Sequence, residues 1–253
     1  TLVRPSAIPA GVTLNPLAQS GGVKAAYYSA AFIIRAVAAE RLDIDPDEID
    51  ISSVRQAELP TGDRGGEIVL SDHLANGAGF ASWVHEHWEE LLTEVLSPSR
   101  EDTFAGQLVS ATHLLACDSS GYDCLRQYRN MTYHSLLDWR LGISLLRCLS
   151  GDTAVGLDGR FETPELAGWP ELASQLRDAF CSAFGGVPAE FGDLPGVTIG
   201  DRPVVVVHPL WDTNAPTGIL AAAISETAAP PRYLNTFNIH RRLSWSYLSL
   251  AED

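Results

Sequence analysis

The chain has 253 residues, of which 45% are hydrophobic and 19% are charged, so its composition is that of an ordinary globular protein and excludes disorder. Its formal net charge of −15 repels a phosphate backbone, which excludes strong autonomous nucleic-acid binding unless basic residues gather on one face. The 4 cysteines are too few for a disulfide scaffold and no apolar run is long enough for a membrane span, so we expect a cytoplasmic protein.

The first part of the chain predicts helices packed on a small sheet. Residues 1–22 contain Pro, Gly and little periodicity, which predicts an irregular lead-in. Apolar residues at three- and four-residue spacing then predict a helix over residues 23–42. Alternating polar and apolar residues predict strands at 48–54 and 67–70, which can pair as a hairpin.

The rest of the chain places a cysteine loop between helices and ends in a smaller lobe. The same periodicity predicts further helices over residues 80–96, 104–115, 134–149 and 170–184. The valine run at 204–207 predicts a buried strand in the C-terminal lobe. The predicted fold class is α+β, and the predicted divisions are the lead-in 1–22, a core domain 23–150 and a C-terminal lobe 151–253.

A strand, two glycines and a helix start follow one another near Asp72. Asp72 follows the second predicted strand, and Gly77 and Gly79 precede the predicted helix. Helix starts expose backbone N–H groups that favour an anion such as phosphate. We favour the alternative of a tight structural connection, because the sequence has neither a dinucleotide-binding nor a P-loop motif. A further alternative is a divalent-metal-dependent hydrolase or nuclease centred on Asp72.

The strongest chemical signal is a pair of cysteines on either side of a Ser-Ser-Gly turn. Cys117 and Cys124 can supply two thiolates to a tetrahedral metal ion, and His134 is the predicted third ligand. Structural zinc takes four ligands, so spacing alone leaves two alternatives open. One is a metal site, and the other is a pair of buried free thiols.

This segment resembles the MrfA-like zinc-binding domain, a prokaryotic module associated with superfamily-two helicases in DNA repair and in DISARM-type phage defence. The residues that carry the resemblance are Cys117, Ser120, Tyr122, Cys124, Leu125, Arg126, Tyr128, Asn130, His134, Leu137, Asp138, Trp139 and Arg140. The resemblance covers residues 23–150 and implies zinc as the cofactor. The family has a further cysteine where this chain has Gly121, and the loss of that thiolate weighs against stable zinc binding.

These observations predict a non-catalytic, helicase-associated module of a DNA-processing or anti-phage defence complex. We expect it to dock a superfamily-two helicase and to reach DNA through that partner, because an acidic chain fits a basic protein surface better than bare DNA. The candidate contact residues are Arg126, Arg129, Arg140, Arg241 and Arg242, with internal salt bridges as the alternative for each. Structural roles are expected for Asp72, Gly77, Gly79, Asp138 and Trp139. Besides the Asp72 enzyme, the remaining alternative is a structural remnant whose metal site has decayed.

Overall fold

The computed structural model describes residues 1–18, 21–74, 77–151 and 155–250, and its contacts divide the chain into two compact units. The first unit comprises Thr1–Ile8, Leu14–Ala18 and Val23–Asp152, and the second comprises Pro9–Thr13, Gln19–Gly22 and Thr153–Asp253. Each unit combines helices with one sheet, so the α+β fold class predicted from the sequence is confirmed. In the described ranges, no helix is both long and apolar enough to cross a membrane.

The first unit contains an antiparallel sheet and six α-helices among its described residues. Strands β1 (Leu2–Val3), β2 (Ile49–Glu58) and β3 (Arg64–Asp72) form the sheet in the order β1-β3-β2. The helices are α1 (Gly22–Leu42), α2 (Phe80–Glu86), α3 (Trp88–Leu96), α4 (Phe104–Leu108), α5 (Ala111–Ala116) and α6 (Trp139–Leu149), with 3-10 helices at Pro46–Glu48 and Tyr128–Tyr133. The helices predicted over 80–96 and 104–115 are each divided in two, because the backbone leaves helical geometry at His87 and at Ser110.

Helix α1 is the core of the first unit, because small and branched apolar residues cover most of its circumference. Ala30, Ile33 and Val37, whose spacing predicts this helix, are fully buried. Helix α6 approaches α1 closely at Gly142, where an added Cβ would lie only 2.7 Å from Ile33 Cδ1. The helix that follows the cysteines is therefore held directly against the core.

Arg35 connects α1 to the segment that contains the cysteines. Its side chain is almost fully buried, with the guanidinium 4.7 Å from the centre of the Phe32 ring. Arg35 Nη2 donates to Gln127 Oε1 at 2.9 Å, and Arg35 Nη1 lies 3.4 Å from Asp47 Oδ1. A buried guanidinium needs such partners, because an unpaired charge in the interior is strongly destabilising.

The second unit is built on a four-stranded sheet. Strands β4 (Val187–Phe191), β5 (Leu194–Ile199), β6 (Arg202–Val207) and β7 (Arg232–Asn235) pair in that order, antiparallel except for the parallel pair β6–β7. The helices are α7 (Trp169–Phe184), α8 (Gly218–Ser225), α9 (Thr236–Arg241) and α10 (Leu243–Ser249). The predicted valine strand is the buried part of β6, and α8 provides the crossover that a parallel pair requires.

An aromatic cluster surrounds His208, which follows β6 directly. The His208 ring centre lies 6.0 Å from those of Trp169 and Trp211. Burial lowers the pKa of His208 to about 3, so the imidazole is neutral at physiological pH. The backbone N–H of Leu210 donates to His208 Nδ1 at 3.3 Å. His208 therefore serves as an uncharged core residue of the second unit.

Candidate metal centre

The cysteine loop, defined as residues 117–127, leaves the end of α5 and packs against the start of α6. Trp139 is fully buried and anchors the first turn of this loop. Trp139 Nε1 donates to the carbonyl oxygen of Cys117 at 3.0 Å, and the backbone N–H of Trp139 donates to the carbonyl oxygen of Ser119 at 2.8 Å. The position of Cys117 is thus fixed by the core of the first unit.

The other end of the cysteine loop is closed by Asn130, which is buried. Asn130 Nδ2 donates to the carbonyl oxygen of Leu125 at 2.8 Å, and Asn130 Oδ1 accepts from the backbone N–H of Gln127 at 2.8 Å. The carboxylate of Asp138 caps α6 by accepting from the backbone N–H groups of the first helical turn. Both ends of the loop are therefore held by hydrogen bonds from buried or capping side chains.

Cys117 and Cys124 bring their sulfur atoms to within 3.8 Å of each other. The hydrogen bond from Cys117 lowers the pKa of Cys124 to about 5, and the same interaction raises the pKa of Cys117. The backbone N–H of Gly121 donates to Cys124 Sγ at 3.1 Å and further stabilises the thiolate. The pair therefore releases its first proton more readily than an isolated thiol does, and the thiolate is the form of cysteine that binds metals.

His113 on α5 completes a group of three metal-binding side chains. One of its ring nitrogens and the two sulfur atoms all lie within 4.8 Å of one another. His113 Nδ1 contacts the carbonyl oxygen of Leu108 at 2.7 Å and therefore carries the proton that it donates. His113 Nε2 is left with a lone pair, is buried, and has no partner at regular hydrogen-bond geometry within the described ranges. It faces Cys124, and the interaction of this ring with the Cys124 sulfur contributes to the lowered pKa of that thiol. This tautomer is the one that a metal-binding histidine adopts.

The three side chains fit a zinc ion on chemical grounds. Two thiolates and one imidazole are ligands that zinc prefers, and neighbouring donors on a tetrahedral zinc lie roughly 3.5–4 Å apart. The sulfur–sulfur distance of 3.8 Å agrees with that spacing. A bound cation would also satisfy His113 Nε2, whose burial without a partner otherwise costs about 1–3 kcal/mol. A fourth ligand is not assigned by these residues.

His134, the third ligand predicted from the sequence, lies in a different hydrogen-bond network. Its Nε2 is 3.0 Å from the carbonyl oxygen of Gln127 and 2.9 Å from Asn130 Oδ1. Both partners are acceptors, so Nε2 carries a proton and donates it. The ring also packs edge-on against Tyr122, with ring centres 5.6 Å apart. His134 thus supports the fold of the loop.

The sequence predicts the two cysteines of this group, and the structure adds His113. The signal for His113 is its spacing of four residues from Cys117, which places both side chains on one side of a helix and its extension. Gly121, where the resemblance places a further cysteine, is adjacent to the sulfurs. A Cβ added there would meet Asp123 N at 3.9 Å, an ordinary contact distance. A larger side chain is therefore sterically allowed at position 121.

The arginines predicted as partner contacts are divided between the two units. Three of them donate hydrogen bonds within the first unit. Arg126 donates to Ser120 Oγ, Arg129 donates to the Asp47 carboxylate, and Arg140 donates to the carbonyl oxygen of Leu114. Arg129 nevertheless has 72% of its side chain exposed. Arg241 and Arg242 lie at the end of α9 in the second unit. Their role in contacting a partner stays a prediction.

Asp72 ends β3 and caps α2, so its surroundings are those of a structural residue. Asp72 Oδ2 accepts from the backbone N–H of Gly79 at 2.7 Å, and Asp72 Oδ1 accepts from that of Ala81 at 2.6 Å. A Cβ at Gly77 would lie 2.1 Å from Asp72 Oδ2, and Gly79 has a φ of 86° that favours glycine. Capping therefore accounts for the geometry of this turn and for the position of the Asp72 carboxylate.

Comparison with known proteins gives a partial sequence match to a curated protein. No family model matches the chain, and no solved structure matches it. The chain is similar to Druantia protein DruE of Escherichia coli (strain UMEA 4076-1), with 29% identity over 154 residues. The match covers 60% of this chain and 7% of DruE. The chain is therefore similar to a small part of a much longer protein.

Proposed function

We propose that this chain is a metal-stabilised, non-catalytic module of an anti-phage defence system. The similarity to DruE, a phage-defence protein, supports the biological context. The observation that carries the metal assignment is the group formed by His113, Cys117 and Cys124, in which a histidine nitrogen with an unused lone pair faces two thiols. The proposed metal site stabilises the module and aligns its surface.

The proposed site is of the MrfA-like zinc-binding type, with zinc as its cofactor. The resemblance to that domain runs through the same cysteine loop that the structure brings together. His113 would hold the ion from α5, and Cys117 and Cys124 would hold it from the loop. A bound zinc ion supplies a cross-link between elements and no redox chemistry. That cross-link would set the position of the exposed face of the loop relative to α5.

The exposed side chains of the cysteine loop and of the 3-10 helix that follows it (Tyr128–Tyr133) form the surface that we propose for docking a superfamily-two helicase. Tyr122 and Tyr128 have exposed fractions of 69% and 82%, and Met131 in the same 3-10 helix as Tyr128 is also exposed. Tyr, Met and Arg are enriched at protein interfaces, and Arg126 and Arg129 lie on the same segment. The net charge of −15 favours a basic protein partner over a phosphate backbone, so DNA would be reached through the helicase.

The metal assignment is tested by the zinc content of the purified chain. We expect about one zinc ion per chain by elemental analysis, because the three ligands belong to one site. Cys117→Ser and Cys124→Ser should each lose the ion. Cys181→Ser is the matched control, since Cys181 is a half-buried thiol of α7 in the other unit. Equal zinc content in all four proteins would contradict the assignment.

The docking proposal is tested by affinity purification of the tagged chain and identification of any superfamily-two helicase that co-purifies with it. Nuclease treatment separates direct binding from binding through DNA. We expect a nuclease-resistant complex that Tyr122→Ala and Tyr128→Ala weaken. Tyr247→Ala is the control, because Tyr247 is an exposed tyrosine of α10 in the second unit. A complex that nuclease removes, or one that only the control weakens, would contradict docking through this surface.

A further inference from the structure

The two sulfurs of the cysteine loop are close enough to react with each other. Cys117 Sγ and Cys124 Sγ are 3.8 Å apart, and both thiols are half-buried rather than sealed in the core. A disulfide bond is about 2.05 Å long, so the sulfurs must approach by roughly 1.8 Å. The other two cysteines differ in this respect, since Cys148 is buried in α6 and Cys181 lies in the second unit.

The loop between the two cysteines can accommodate this approach. Hydrogen bonds hold the two ends of the loop, at Cys117 and Ser119 through Trp139 and at Leu125 and Gln127 through Asn130. Gly121 lies between the cysteines, and the space next to its Cα is open, since an added Cβ would meet its nearest atom at 3.9 Å. A glycine in open space permits small backbone rotations at little steric cost. The sulfur of Cys124 can therefore move toward that of Cys117.

We propose that Cys117 and Cys124 form a thiol-oxidation site, at which a small-molecule disulfide such as glutathione disulfide converts the pair into an intramolecular disulfide. One cysteine thiolate attacks a sulfur of glutathione disulfide, forming a mixed disulfide and releasing one glutathione thiolate. The second cysteine thiolate attacks the protein sulfur of that mixed disulfide and releases the second glutathione. The two protons of the cysteine thiols pass to the two released glutathione thiolates, and the two electrons reduce glutathione disulfide to two glutathione molecules.

Oxidation and metal binding exclude each other at this site. The disulfide removes both thiolates, and these are two of the three ligands proposed for zinc. The exclusion of metal by oxidation rests on the proposed metal centre, whereas disulfide formation requires only the two thiols. His113 alone cannot retain the ion, because one imidazole provides a small part of the binding energy of a structural site.

The test uses the full chain carrying Cys181→Ser, stripped of metal by a chelator and incubated with glutathione disulfide. Free thiols are then alkylated under denaturing conditions, and the intact mass is measured. We expect a product with a single alkyl group, on Cys148, whose mass is two hydrogen atoms below that of the singly alkylated chain with free loop thiols. It should carry no glutathione, and the peptide map should link Cys117 to Cys124. Adding Cys117→Ser or Cys124→Ser should instead trap glutathione on the remaining loop cysteine, because the resolving thiol is absent.

Two results would overturn the disulfide. One is a protein that keeps both loop thiols reduced, and the other is a protein that carries glutathione on both. A second arm repeats the oxidation after loading with Zn²⁺, which should slow disulfide formation by about tenfold or more if the thiolates are coordinated. Equal rates with and without Zn²⁺ would overturn the metal assignment alone, since the first arm has already decided the disulfide.

Discussion

Replacement of His113 by alanine should weaken zinc binding about 100-fold, whereas replacement of His134 by alanine should leave it unchanged. A structural zinc site supplies ~10–16 kcal/mol, or about 3 kcal/mol for each of four ligands, and about 1.4 kcal/mol changes Kd tenfold. The two histidines differ in the state of Nε2. Among the described residues, Nε2 of His113 faces the sulfurs and has no partner at regular hydrogen-bond geometry. Nε2 of His134 already donates to the carbonyl oxygen of Gln127 and to Asn130 Oδ1.

The affinity is measured by competition with a chromophoric zinc chelator, and Co²⁺ absorption reports the ligands independently. His113→Ala also loses the hydrogen bond from Nδ1 to the carbonyl oxygen of Leu108, which costs the metal-free fold about 1 kcal/mol. That loss is small enough for the fold to survive, and circular dichroism of the metal-free proteins checks it. Weakened binding in His134→Ala together with normal binding in His113→Ala would refute the reasoning and restore the ligand set predicted from the sequence.

Three further predictions address the loop and the second unit. Gly121→Cys should tighten zinc binding about 100-fold in the same competition assay, because it offers a thiolate as a fourth ligand in open space. An unchanged Kd would show that a side chain at this position does not reach the ion. Trp139→Ala should lower the free energy of unfolding by about 3–5 kcal/mol in urea denaturation, because it empties a fully buried site, and a loss below about 1 kcal/mol would contradict that role. The pKa of His208 is about 3 when folded and 6.5 in an unperturbed histidine, so only the unfolded state gains this proton as pH falls below 6.5. Between pH 6.5 and pH 5 the wild type should therefore lose about 2 kcal/mol more stability than His208→Gln, whereas His85→Gln at an exposed histidine should behave as wild type.

The elements that the sequence predicts well are those whose pattern is repeated many times. Helix α1 contains five turns of consistent apolar spacing, and the structure begins and ends it within one residue of the prediction. The hairpin of β2 and β3 follows from alternation and a Gly-containing turn. In both cases the local pattern and the tertiary packing favour the same structure, and agreement of this kind is what makes an element predictable.

Strands β4 and β5 could not be predicted, because their residues are typical of turns. Pro188 lies within β4, and Pro195 and Gly196 lie within β5. The sheet nevertheless requires a small residue at position 196, since a Cβ there would lie 2.5 Å from the carbonyl oxygen of Val204 on the neighbouring strand. A tertiary contact therefore overrides the local preference, and a single sequence gives no indication of that contact.

At the candidate site, the sequence identifies the two thiols but does not identify the histidine that faces them. His134 follows Cys124 closely and has the position expected from the resemblance, whereas His113 lies before the loop on a helix predicted to end at residue 115. The difference depends on which ring nitrogen is already bound. The hydrogen-bond partners of each ring determine this. For His134 a partner is Asn130 of the 3-10 helix, and for His113 it is the carbonyl oxygen of Leu108; residue spacing reveals neither.

The way the loop is held has a consequence for the affinity of the proposed metal site. In many small zinc modules the ligands come together only when metal binds, so binding energy is spent on ordering the chain. Here Trp139 fixes Cys117, the N–H of Gly121 fixes Cys124 Sγ, and the carbonyl oxygen of Leu108 fixes the tautomer of His113 without an ion. Ligands that are already positioned lose little conformational entropy on binding. Three preorganised ligands can therefore offset part of the binding energy lost with a fourth thiolate, and the same preorganisation keeps the two thiols poised for oxidation when metal is absent.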